Sequence, residues 1–146
     1  MKIFLDTSSL FKLYHKEADT HLIEQIFSGN KIDGVFLSEI AMVEFASTVW
    51  KKYRLKEIDK VHAQNMIGDF EADFGKYTFT HVSNAVIEHA KNLLSKYGAQ
   101  GLRSLDSIQL STSLSLVEEC NLFVSSDKLL NIFFRQESLP VPDTLF

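Results

Sequence analysis

Four short β-type runs punctuate the chain, Ile3–Leu5, Val35–Leu37, Tyr77–Val82 and Leu122–Val124, and each is separated from the next by segments of helical character. Strands spaced by helices do not close tight hairpins; they pair in parallel, with crossover helices covering the sheet. The pattern predicts an α/β fold with a mainly parallel sheet. Helices are expected from Ser9 to Tyr14, Ala18 to Phe27 (ended by Gly29-Asn30), Ser38 to about Tyr53, about Leu55 to Phe74, Ser83 to Tyr97 (stopped by Gly98), Ser104 to Glu119, and Lys128 to Phe134. In the third of these, Met42, Phe45, Ala46, Val49 and Tyr53 recur at three- and four-residue spacing and predict its buried face. There is no internal repeat, low-complexity tract or Pro/Gly/Ser-rich linker, and both prolines lie near the end. Residues 1–146 therefore read as one domain, long enough to build a core unaided.

The single cysteine, Cys120, excludes an internal disulfide and offers no metal-binding pair, which points to a reducing, cytoplasmic setting. Asp6 interrupts the N-terminal apolar stretch before a signal-peptide core or membrane span forms, so no membrane association is expected. The formal charge of −4 argues against a broad basic nucleic-acid face. If four of the nineteen acids met at one metal site, however, fifteen would remain to balance the fifteen Lys and Arg.

Ligands of an open parallel sheet bind beyond the carboxyl ends of its strands, so the strand ends matter most. The first strand stops at Asp6-Thr7-Ser8-Ser9, and the second runs into a helix carrying Glu44. Asp106 lies near the start of a later helix, and the last strand ends in Ser125-Ser126-Asp127. Carboxylates gathered at one sheet end repel each other unless protons or a cation compensate. Oxygen ligands without a His/Cys set favour Mg²⁺ or Mn²⁺, ions that characteristically work on phosphates. The P-loop, the G-x-G-x-x-G turn and the G-x-S-x-G elbow are all missing, and Ser8 stands where aspartyl-phosphate phosphatases carry a second Asp. The five histidines form no H-E-x-x-H and read as surface or satisfied core.

Four blocks together resemble the PIN-domain nucleases, most closely the VapC-type ribonuclease toxins. They are Phe4-Leu5-Asp6-Thr7-Ser8-Ser9-Leu10, Met42-Val43-Glu44-Phe45-Ala46, Leu102 to Ser111 around Asp106, and Phe123 to Leu130 around Ser125 and Asp127. The resemblance implies a three-layer α/β/α sandwich in which Asp6, Glu44, Asp106 and Asp127 meet in an acidic pocket holding Mg²⁺ or Mn²⁺. It implies hydrolysis of RNA phosphodiesters by a metal-activated water, with the Ser125 hydroxyl assisting. It also implies a homodimer held inactive by a small cognate antitoxin, whose C-terminal segment lies along the groove. Ser107 and Ser111 stand where the family commonly has Ala, and Ser125 where Thr is commoner. The stretch from Leu55 to Tyr77 matches no block.

Each residue also has a plainer reading. Asp6 and Asp127 can cap helices, Ser125 can be an N-cap, and Asp106 suits the first turn of its helix. Glu44 lies opposite the apolar stripe, where a solvated face is the default. Arg103 can hold phosphate or pair with a carboxylate. Lys12, Lys51, Lys52 and Arg54 can form an RNA track, although Lys51-Lys52-Tyr53-Arg54 is also an ordinary helix C-terminus. Phe11, Tyr14 and Trp50 are candidates for a partner surface. Two other functions remain open: a related nuclease acting on DNA or structured flaps, and a non-catalytic module whose acidic pocket receives a basic partner segment.

Overall fold

β1 (Lys2–Leu5) is flanked by β2 (Gly34–Ser38) on one side and β4 (Leu122–Val124) on the other, with β3 (Thr78–Thr80) beyond β2. This computed structural model describes residues 1–143; the last three positions of the expected domain lie outside the described residues. Every strand pair is parallel, with Phe4 opposite both Phe36 and Phe123. Side chains alternate across a strand, so Ile3 and Leu5 enter the core on one face of the sheet and Phe4 the core on the other. The chain builds outward from β1 to β3, then returns past β1 to lay down β4. The reversal leaves a crevice at the carboxyl ends of β1 and β4.

One face is covered by α1 (Thr7–Phe11), α2 (Thr20–Gly29), α3 (Ala41–Arg54) and α4 (Lys60–Ala72). The other is covered by α5 (Asn84–Tyr97), α6 (Ser104–Ser115) and α7 (Lys128–Gln136). The three layers and parallel sheet agree with expectation, and among the described residues no helix is long and apolar enough to cross a membrane.

Helix α3 differs from its predicted face. Ala41, Phe45 and Val49, one row at four-residue spacing, are buried, whereas Met42 and Tyr53 are exposed. Contact along this single row turns the adjacent row, Glu44 and Thr48, toward the crevice. The expected helix from Leu55 starts only at Lys60, because α3 ends in a Schellman turn without glycine. Lys56 adopts φ 60°, its N–H bonds Tyr53 O, and Glu57 N–H bonds Lys52 O. Asp59 then caps α4 through His62 N–H.

A second Schellman turn closes α7, with Ser138 at φ 60° and buried Leu139 and Phe134 at its paired apolar positions. Helix α5 ends at Tyr97 as predicted, with Gly98 at its C-cap, but Gly98 does not take the left-handed conformation. It opens a 3₁₀ turn, and the left-handed position falls at Gly101, where a Cβ would meet Leu129 at 3.2 Å. The unmatched stretch also has a structural role: Phe70 of α4 stacks near Phe45, Tyr14, Phe74 and Tyr77. Phe11 is buried in the same core, so it is not a partner surface.

Candidate acidic active-site cleft

β1 delivers Asp6 to the crevice, and the carboxylate caps α1 by accepting Ser9 N–H at 3.0 Å. Its oxygens are held by hydroxyls: Ser8 Oγ lies 2.9 and 2.8 Å from them, Ser9 Oγ 2.8 Å from Oδ1, and Ser125 Oγ 2.7 Å from Oδ2. Ser125, the first residue after β4, accepts Asp127 N–H, and Ser8 accepts Ser126 N–H, so the two loops are laced across the switch point. Asn131 Nδ2 donates to Ser125 O and fixes that loop from α7. Thr7, next to Asp6 in sequence, serves a different acid: its Oγ1 donates to Glu44 Oε1 at 2.9 Å.

Glu44 is half-buried in the crevice, and not on a solvated face. Gln109 Nε2 donates to the same Oε1 at 2.7 Å and lies 3.1 Å from Thr7 Oγ1. Gln109 itself is 3 % exposed, and its Oε1 has no hydrogen-bond partner among the described residues. Sequence reasoning missed this residue. The available signal was its place three residues after Asp106, on the same side of α6, as an amide between Ile108 and Leu110. Asp106 meets Arg103 Nε at 3.5 Å, the carboxylate pairing that was one of the two readings of Arg103. Asp127 caps α7 through Leu130 N–H at 3.0 Å.

Asp6, Glu44, Asp106 and Asp127 all line one cavity of about 550 Å³. They line it without converging: among the described residues no three His, Cys, Asp or Glu side chains form a ready ligand set. Their electrostatics are nonetheless shared. Burial raises the Asp6 carboxyl above its ordinary range, against the hydrogen bonds of Ser125, Ser9 and Ser8. Burial also raises Glu44, opposed by Gln109 and Thr7 and reinforced by the charges of Asp6 and Asp106. Asp106 is raised by burial and then by Asp127, with Arg103 opposing. Among the described residues, Arg103 is the one cation paired with any of the four.

An all-parallel sheet with acids from four separate segments over its switch point defines an α/β domain with an acidic cleft. The PIN domain profile matches residues 3–132, and the chain belongs to that family. No curated protein matches it significantly in sequence. Its fold is that of VapC-type PIN domains. The solved structure of Mycobacterium tuberculosis VapC20, described as a sarcin-ricin loop cleaving toxin, is similar at TM-score 0.68 and 14% identity, over 90% of this chain and 94% of that one. VapBC-1 of nontypeable Haemophilus influenzae is similar at TM-score 0.65 and 16% identity, over 98% of each chain. VapBC2 of Rickettsia felis, bound to a promoter DNA fragment, is similar at TM-score 0.65 and 14% identity, over 97% of this chain and 98% of that one.

Proposed function

We propose that the protein is a divalent-metal-dependent endoribonuclease, the toxin of a toxin–antitoxin pair. The observation that carries this reading is the sharing of one cavity by four carboxylates from distant parts of the sequence, with Arg103 the one cation paired to any of them among the described residues. Buried like charges of this kind need a compensating cation, and their all-oxygen donor set fits Mg²⁺ or Mn²⁺. Family membership and the likeness to VapC20 support the nuclease reading.

Asp6, Glu44 and Asp106 are the principal ligands in this proposal, and Asp127 completes the pocket. When bound, the ion lowers the pKa of a water and polarises a phosphoryl oxygen. The protein's own work is positioning. Ser8, Ser9 and Ser125 fix the Asp6 carboxylate, while Thr7 and Gln109 engage Glu44 Oε1 and leave Oε2 for the cleft. Such outer partners set ligand orientation. A homodimer restrained by a small cognate antitoxin is the assembly we propose, supported by the VapBC complexes of like fold.

Calorimetry separates this reading from a binding module. Mn²⁺ is expected to bind near neutral pH. No Mn²⁺ binding, together with tight binding of an Arg-bearing peptide, would instead make the pocket a receptor for a basic segment.

A further inference from the structure

The rim of the same cleft carries a chain of ion pairs. Lys12 Nζ, on a side chain only 8 % exposed, lies 2.6 Å from Asp19 Oδ1 and 3.2 Å from Glu17 Oε1. Lys52 Nζ lies 3.0 Å from Glu57 Oε2 and 3.7 Å from Glu17 Oε2. Glu17 thus offers one oxygen to each of two ammonium groups, one just beyond α1 and the other on α3. It is also the surplus member, because each lysine has a second, closer acid of its own. Its departure would leave neither cation unpaired. Glu17 sits in the loop between α1 and α2, so its side chain can swing away without unmaking a helix.

A carboxylate spanning two ammonium groups through its two oxygens matches, in charge and shape, the two non-bridging oxygens of a phosphodiester. We propose that Lys12 and Lys52 form a subsite for a backbone phosphate of the polynucleotide, and that Glu17 fills it in the free protein until the phosphate displaces it. The proposal rests on the nuclease reading and deepens it. Lys52 lies eight residues beyond Glu44, about 12 Å along the helix. The phosphate held here is therefore one flanking the scissile bond. Lys51 also lines the cleft and has no acid partner among the described residues, which adds positive charge to that rim. The arrangement answers how an acidic protein attracts a polyanion: local fields decide, and the rim is opposite in sign to the pocket once Glu17 leaves.

The test is fluorescence anisotropy of a short single-stranded oligoribonucleotide with the full chain, at low salt and with chelator present so that no strand is cut. Glu17→Gln should bind about three- to fivefold more tightly than wild type, the scale of one partly exposed charge pair. The gain should shrink as salt rises and vanish when Lys52→Gln is added. Binding by Glu17→Gln equal to or weaker than wild type, no binding by either protein, or a gain that survives Lys52→Gln would overturn the subsite. The two readings fail separately. Tighter binding by Glu17→Gln in a protein that never cuts RNA would remove the nuclease and keep the subsite; metal-dependent cleavage with unchanged binding would do the reverse.

Discussion

Glu44 Oε1 accepts from both Thr7 and Gln109, while Gln109 Oε1 has no partner among the described residues, so replacing the amide removes two contacts, to Glu44 and to Thr7, together with one orphaned acceptor. Gln109→Leu should therefore change unfolding free energy by no more than about 1.5 kcal/mol in a urea titration. Its Mn²⁺ affinity should nevertheless fall by about ten- to a hundredfold, because Glu44 loses the group that orients it. Asp106 gives a pH signature. Its carboxyl is raised in the folded state by burial and by Asp127, so its contribution to stability is complete below the ordinary carboxylate range and is lost as pH rises through the raised value. Metal-free Asp106→Asn should thus melt above wild type at neutral pH, with the gap closing on acidification. Asp6→Asn is the less clean variant, since that carboxylate also caps α1 and gathers three serines. At this scale the acids were legible in the sequence because each follows a strand or opens a helix. Glu44 was the exception, since periodicity on one helix cannot show that a neighbouring row faces a crevice built by other elements. Gln109 was missed for the same reason, although its place three residues after Asp106 was a signal.

Helix boundaries were legible from some capping side chains, as with Ser83, whose hydroxyl accepts Val86 N–H, though not from Asp59, the cap of α4. They were lost where backbone alone does the work. The turn between α3 and α4 puts Lys56 at φ 60°, a position glycine normally takes, and nothing in Leu55-Lys56-Glu57 announces it. Lys56→Gly should accordingly stabilise the fold by roughly 0.5–1 kcal/mol, read from the midpoint of a denaturant titration, as relief of the left-handed strain exceeds the added chain entropy. Packing of α4 is the other test at this scale. Phe70 is 2 % exposed at the centre of the aromatic cluster linking α3, α4 and β3. Phe70→Ala should cost about 3–5 kcal/mol in the same titration.

For the whole molecule, the alternation of strands and helices was enough to predict a mainly parallel sheet, because parallel pairing needs crossovers, while the three layers followed from the family resemblance. The strand order β3-β2-β1-β4 was not readable from that alternation, yet it is what joins Asp6 and Ser125 across adjacent strand ends. Negative charge concentrated in the resulting cleft makes stability and ligation one problem: a cation bound only by the folded state should raise the melting temperature in proportion to the logarithm of its concentration once it exceeds Kd. The proposed role of these acids is to hold the metal on which RNA cleavage would depend. Its most direct measurement is cleavage of RNA by purified wild type and Asp106→Asn, each with Mg²⁺ and with excess chelator. Cleavage by wild type in Mg²⁺ alone, with Asp106→Asn folded and inert, is the predicted result; undiminished cleavage by Asp106→Asn, or by wild type in chelator, would contradict it.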